Sequence, residues 1–543
     1  MSSWITNETW LKKWEPENDN FWNNEGGSNH ANRVLWITTF SLIFSFATWF
    51  VMSAVVVRLP NIGFKFDTMQ LFWLAAMPGL AGGTFRFIHT FLIPIYGTRH
   101  VITFATFLKI FPMIWLGYAV QNPETPYWHF LTIAILCGFG GGDFSSYMPS
   151  TSIHFPKRLQ GYAMGIQAGI GNFGVSLTQF VTPWIIGFAL LGSFLGGPQL
   201  FVKTDIIKDV KVDKDNKGVK NIVFKNPEFT KYISFNKKGE YITDISIAKS
   251  ESTQNLVVDF KKDETGIITD IQFKKEIKKN IWLQNAAFWY IPFLIIAGIL
   301  CWIFLRSIRI ERPSIGEMIK NMTDNKHAWF CVITYIMTFG GFSGLSAAFP
   351  LMIKTIYGKF DGAPDPLVYA FYGPLIGSLT RAVWGKPTDK YGGSIWLMVS
   401  GIGIIIGCLV LILGGFLTPT SLEQFPTFVG IMLWIFFMTG LGNAATFRQY
   451  PIIFSFSSRQ GAQILGWTAS WAAYGPFIFS SLIGASITSY GSAKPFFWGY
   501  LIFSIVAILI NWYYYTRKGA ERYDWGTKGG TWWDKAKEMY GKV

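Results

Sequence analysis

The sequence predicts an all-α integral membrane protein, with twelve transmembrane helices in two six-helix halves and a β-rich extracytoplasmic insertion. Three observations predict it. Only 15% of the 543 residues are charged and 50% are hydrophobic, where a soluble domain carries roughly 25% charged residues. Apolar runs of about 20 residues, the length one helix needs to cross roughly 30 Å of hydrocarbon, recur along the chain. Glycines and arginines repeat at matching spacings in the two halves.

Taken in order, residues 1–33 form a polar, aromatic tail without the apolar core of a cleavable signal, so the tail is expected to stay on the protein. Helices one to five occupy 34–197, over runs 34–57, 70–96, 101–120, 127–153 and 162–196. The segment 198–282 interrupts them. A sixth helix in 283–312, centred on 283–306, completes the first half. A linker at 313–326 leads to the second half, 327–515, whose runs are 327–352, 366–386, 394–417, 425–454, 463–489 and 495–515. The chain closes with a tail at 516–543.

An even number of spans puts both termini on one side. The loops on that side carry Arg99, Lys157, Arg158, Arg306, Arg309, Arg312, Lys320, Lys326, Lys386, Lys390 and Arg459; the opposite short loops carry only Arg58, Lys65, Lys354, Lys359 and Lys494. Basic loops stay in the cytoplasm, so both termini are expected there, in the cell (inner) membrane. The formal charge of +15 is accounted for by these loops, and no nucleic-acid partner is implied. Segment 198–282 is Lys-rich yet falls outside, which the rule allows because long loops translocate largely regardless of charge. Its residues alternate around Lys217-Gly218, Lys238-Gly239 and Thr265-Gly266, and Ile-Thr-Asp-Ile occurs at both 242–245 and 268–271. This is a hairpin pattern. The segment is expected to be peripheral to the membrane core.

Cys137, Cys301, Cys331 and Cys408 all lie in apolar runs and form no CxxC pair, so neither a metal nor a cofactor is expected. No nucleophile, base and orienting acid converge either, which argues against an enzyme.

The internal repeat carries the chemistry. Gly82-x3-Arg86-x9-Tyr96-Gly97 in the second run answers Gly377-x3-Arg381-x9-Tyr391-Gly392 in the eighth, and Gly161-x3-Gly165-x8-Gly174 answers Gly461-x4-Gly466-x8-Gly475. Parallel repeats of six helices are the organisation of the major facilitator superfamily, whose substrate site lies near the midplane between the halves. Arg86 and Arg381 sit inside apolar runs, where each arginine costs at least about 2.5–3.5 kcal/mol on insertion scales. The acid found within the runs is Asp143. One carboxylate does not neutralise two arginines, so an anion is expected between the halves. The planar guanidinium fork favours nitrate, nitrite, phosphate or carboxylate over halide. His89, one turn from Arg86, would help bind a phosphate, though a lone His in a membrane is more often a packing residue. The glycines at 140–142, 169, 171 and 174 allow close helix packing, hence a narrow route and a small substrate.

These residues resemble the nitrate/nitrite porters of the major facilitator superfamily. The likeness runs through Gly138-Phe-Gly-Gly-Gly-Asp-Phe-Ser-Ser-Tyr-Met148, Phe155-Pro-Lys-x2-Gln-Gly161, Gly165-x3-Gly169-x-Gly-Asn172-x-Gly174 and Gly440-Leu-Gly-Asn-Ala-Ala-Thr-Phe447. It covers nearly the whole chain except the insertion and the tails. The resemblance implies that Arg86 and Arg381 clamp the anion, that Phe46, Phe144, Tyr335 and Phe339 line its site, and that Asn172 belongs to the fifth-span signature. Two residues depart from the family pattern: Asp143 stands where asparagine is usual, and Arg448 where a neutral residue is common. A compensating Asp143–Arg448 ion pair is expected, with Asp143 as a proton carrier the alternative. The implied function is secondary transport of nitrate and nitrite in nitrate assimilation, as an antiporter and a monomer, with the lipid bilayer as its other partner. Proton-coupled nitrate symport, a porter for another small oxyanion and a non-transporting nitrate receptor are the alternatives.

Overall fold

The structure is a computed structural model that describes residues 9–190, 192–204, 207–212, 218–224, 227–250, 253, 256–309, 314–360, 363–525 and 531–540. Arg312 and Lys217, counted above, lie outside these residues. Long helices dominate. The first half contains α1 (Gly27–Val55), α2 (Thr68–Leu108), α3 (Ile110–Ala119), α4 (Tyr127–Gly142), α5 (Phe144–His154), α6 (Lys157–Ile185) and α7 (Tyr290–Phe304). The second contains α8 (Lys326–Tyr335), a π turn at Ile336–Gly340, then α9 (Gly341–Tyr357), α10 (Tyr372–Val383), α11 (Gly393–Leu413), α12 (Phe425–Ile453), α13 (Ser458–Ala472), α14 (Gly475–Tyr490) and α15 (Lys494–Asn511). Among the described residues, seven helical stretches are long and apolar enough to cross a membrane. Helix α6 is not one of them, because it buries Gln167, Asn172 and Gln179 inside the bundle rather than presenting a purely apolar surface. It also stops at Ile185, short of the expected 196: Pro183 lies in its last turn, and Gly187, Gly192, Gly196 and Gly197 follow.

The duplication is visible in the backbone. Gly97 and Gly392, the last residues of the repeated arginine motif, both take positive φ, 77° and 91°. Each lies so close to a later segment, at Ser307 and Asp524 respectively, that a side chain would not fit. A second repeat appears once the halves are compared in space. Ser41-x3-Ser45-Phe46-x2-Trp49 in α1 matches Thr334-x3-Thr338-Phe339-x2-Phe342 across the π turn, and Phe144-x2-Tyr147 in α5 matches Phe447-x2-Tyr450 in α12. Even a hydrogen bond recurs. The Tyr147 hydroxyl meets Ser41 Oγ at 2.8 Å, and the Tyr450 hydroxyl meets Thr334 Oγ1 at 2.8 Å.

The inserted segment forms strands β1 (Gln199–Thr204), β2 (Ile207–Val212), β3 (Val219–Phe224), β4 (Ile233–Lys238), β5 (Tyr241–Ile247), β6 (Leu256–Lys262) and β7 (Ile268–Ile281). They pair antiparallel in three small sheets, β1-β7-β6, β2-β3 and β4-β5. Val219, Ile222, Phe224, Ile242 and Phe273 form their shared apolar cluster.

The base of this segment is not peripheral. Arg58, just past α1, pairs with Asp365, just before α10, and so ties the two halves together. Lys354 of α9 adds bonds to the Val57 carbonyl and, at 3.1 Å, to Asn61 Oδ1. Gln179 of α6 donates to Ser53 Oγ and to the Ser346 carbonyl, at 3.0 and 2.8 Å. Strand β1 joins this latch: Asn61 Nδ2 donates to the Val202 carbonyl at 3.0 Å, and the Phe201 ring lies 5.6 Å from the Arg58 guanidinium. A partly exposed ion pair is worth about 0–1 kcal/mol, so the latch holds through its sum and remains able to open. Replacing Asp365 by Asn is therefore expected to speed labelling of a Ser346→Cys probe by an impermeant maleimide added on the strand-bearing side. An unchanged labelling rate would count against the latch.

Candidate anion site

Arg86 rises from the middle of α2 and is fully buried. Its Nε donates to the Gly141 carbonyl at 2.8 Å, and one terminal nitrogen donates across the halves to the Ala469 carbonyl at 2.7 Å. The other terminal nitrogen has no hydrogen-bond partner among the described residues. Three rings face its guanidinium carbon: Phe144 at 4.8 Å, Trp49 at 5.3 Å and Phe339 at 5.3 Å. This crowding depends on Gly140 and Gly141, because a Cβ there would strike the α1 backbone at Ser45 and the Trp49 ring.

Arg381, at the matching place in α10, is 7% exposed. Phe447 faces its guanidinium at 4.3 Å and Phe339 at 5.9 Å. Both of its terminal nitrogens lack a hydrogen-bond partner of good geometry among the described residues, with the Tyr335 hydroxyl close by. Phe339 is thus the shared wall of the site, one ring touched by both arginines. It belongs to the π turn, a helix irregularity that often accompanies functional sites. Tyr335 stacks on Phe339 at 5.3 Å, and Phe46 packs edge-on against Phe144 at 6.1 Å and Trp49 at 5.5 Å. Asn172, 1% exposed, has neither side-chain amide atom hydrogen-bonded among the described residues. Among the described residues no carboxylate pairs with Arg86 or Arg381.

The expected Asp143–Arg448 pair is not formed. Asp143, at the α4–α5 junction, pairs with Lys109, which stands between α2 and α3, and accepts a 2.6 Å bond from Ser45 Oγ. Arg448 pairs instead with Asp524 of the C-terminal tail, whose carboxylate also accepts the Gly393 and Ser394 amides at 3.0 and 3.3 Å. The repeat explains the difference: Phe144 corresponds to Phe447, so Asp143 corresponds to Thr446, and the two charges occupy different helix faces. His89 Nδ1 meets Ser146 Oγ at 2.9 Å, which binds it to α5 as a packing residue. Sequence reasoning missed Trp49, Phe447 and Lys109. A lysine in the middle of run 101–120 was the signal that could have found the last.

The geometry is an acid-free pair of guanidiniums walled by aromatic faces, suited to a small planar oxyanion. No family model matches the chain. It is 48% identical over 514 residues to a Thermus thermophilus protein named "Probable nitrate/nitrite antiporter NarK2", spanning 95% of this chain and 98% of that one. The chain belongs to the nitrate/nitrite porter family. A second porter, the Escherichia coli K12 "Nitrate/nitrite transporter NarU", is 32% identical over 529 residues, covering 94% of this chain and 96% of its own. Among solved structures, the xylose transporter XylE of E. coli superimposes with a TM-score of 0.52 at 12% identity, over 89% of this chain and 99% of that chain. That likeness places the porter in the major facilitator fold. The porter is an integral membrane transporter and not an enzyme.

Two outcomes follow from this geometry. Replacing either Arg86 or Arg381 by Lys keeps the charge but loses the fork, and anion affinity measured by calorimetry is expected to fall about tenfold or more, the loss of a charge-assisted hydrogen bond. Unchanged affinity in both variants would refute the clamp. Because Asp143 and Arg448 have different partners, the melting-temperature effects of Asp143→Asn and Arg448→Gln should add, with an interaction energy within about 0.5 kcal/mol. A large favourable coupling would restore the direct pair.

Proposed function

We propose that the porter exchanges nitrate and nitrite across the cell membrane by alternating access, its halves rocking about one anion held between Arg86 and Arg381. The observation that carries this reading is Phe339, whose ring lies within 5.9 Å of both guanidiniums in a buried site where no carboxylate among the described residues pairs with either. Phe144 and Phe339 flank the anion; apolar rings suit a flat, weakly hydrated ion better than a tetrahedral, strongly hydrated phosphate. The unpaired nitrogens of Arg86 and Arg381 donate to its oxygens, with Tyr335 and Asn172 as further polar contacts. Phe46 supports Phe144 from behind. The names of the relatives supply the identity of the anion.

Electrostatics favours exchange. Without an anion the two guanidiniums repel each other in a low-dielectric interior, so the halves reorient most easily with an anion in place. Asp143, already committed to Lys109 and Ser45, is poorly suited to carry a proton. The topology that accompanies this reading has twelve spans, both termini cytoplasmic and segment 198–282 outside. Helices one to five fill 34–197, helix six lies in 283–312, and the linker 313–326 joins it to the second half at 327–515. The protein acts as a monomer.

Purified protein in liposomes tests this. Nitrate uptake should be fast with nitrite inside and close to background with no internal anion, and an imposed pH gradient should not replace nitrite. Uptake driven by the pH gradient into anion-free liposomes would replace exchange with proton symport.

A further inference from the structure

Asp143 lies between two of the residues that contact Arg86. Two positions before it, the Gly141 carbonyl accepts the Arg86 Nε bond; immediately after it, the Phe144 ring faces the Arg86 guanidinium. Helical hydrogen bonding carries across this α4–α5 junction, with Asp143 N bonded to the Phe139 carbonyl and Tyr147 N to the Asp143 carbonyl, at 3.3 and 3.0 Å. A force on the Asp143 side chain is therefore passed to both neighbours. That side chain is fully buried and is gripped from two sides. Lys109 Nζ bonds to it and also donates to the Ala105 carbonyl at 2.8 Å, while Ser45 Oγ bonds to it from α1.

The fold does not require this cluster. Counting on from the matched glycines Gly97 and Gly392, Lys109 corresponds to Ile404, while Ser45 and Asp143 correspond to Thr338 and Thr446. The second half therefore packs the same place with neutral side chains, all buried. Among the described residues, the terminal nitrogens of its arginine, Arg381, have no hydrogen bond of good geometry, with the Tyr335 hydroxyl close by, whereas Arg86 bonds to two carbonyls.

We infer that Lys109, Asp143 and Ser45 form a positioning cluster that sets the donor geometry of Arg86, and so the affinity of its side of the clamp. The cluster touches neither the anion nor the guanidinium; it acts through Gly141 and Phe144. This inference rests on the reading of the cavity as a nitrate and nitrite site, and two readouts separate it from that reading.

The experiment uses full-length purified protein with Asp143→Asn, Lys109→Met and the double variant, each with and without Arg86→Lys. Nitrate affinity is measured by calorimetry, and amide exchange over 139–147 is measured without anion. The single variants strand one buried charge and are expected to melt early. The double variant strands none, so its melting temperature should recover. Its nitrate affinity should nonetheless stay weakened by about fivefold or more, and its 139–147 amides should exchange faster than wild type. Arg86→Lys should then cost much less affinity in the double background than alone, because the arginine is already misplaced. Recovery of affinity together with melting temperature, or full additivity with Arg86→Lys, would overturn the inference and leave the cluster as charge balance. Loss of pH-driven uptake in Asp143→Asn with unchanged affinity would overturn it in favour of a proton carrier. If wild type binds neither nitrate nor nitrite, the substrate reading falls, while the exchange measurement still scores the cluster: unchanged amide exchange in the double variant would reject it.

Discussion

Two guanidiniums share the face of one phenylalanine ring at the centre of this protein, and no acid among the described residues neutralises them. The rest of the structure answers to that constraint. A buried charge without a partner is expensive in any protein and more so where lipid replaces water outside the bundle. Arg86 offsets part of this cost with two backbone carbonyls and three aromatic faces. Arg381 offsets less of it, chiefly through Phe447. In the proposed reading an anion supplies the remaining deficit, and a site left short of partners suits a porter better than a permanent structural ion pair would.

Duplication places the two arginines, and departure from duplication makes them unequal. Matching motifs bring Trp49 and Phe342, Phe46 and Phe339, and Phe144 and Phe447 to corresponding places in the two halves. Among the described residues a π turn interrupts this repeated segment in the second half, at Ile336–Gly340, and its Phe339 ring lies near both arginines. Charged anchors are likewise asymmetric. The first half buries Lys109 and Asp143 within the bundle, while the second pairs Arg448 with the C-terminal tail through Asp524. The tail is thus part of the packed structure: Arg522 contacts the rings of Phe454, Phe456 and Trp532, and Glu521 meets Lys326 and His327.

Much of this was legible before the structure, because arginines in apolar runs and glycines at repeated spacing are loud signals. The separate partners of Asp143 and Arg448, Lys109 and Asp524, were not. Both charges stood out as exceptions on equivalent helices, yet helix equivalence does not fix the face, and Thr446 rather than Arg448 is the counterpart of Asp143. Lys109 passed unnoticed because it carries no motif, although its position in an apolar run demanded a partner. The end of α6 was misplaced because an apolar run continues past the glycines that terminate the helix. Alternation in the inserted segment suggested strands but carried no information about where its first strand would rest, and that strand touches the latch between the halves.

The central claim, that the arginine charge is left for an anion rather than satisfied by the protein, is tested most directly by the melting temperature of Arg381→Gln. In anion-free buffer the variant should melt above wild type, because it removes one of two repelling buried charges. Added nitrate should raise the wild-type melting temperature and not the variant's, closing the gap. A variant that melts below wild type without any anion would mean that the protein itself satisfies Arg381, and would contradict the account.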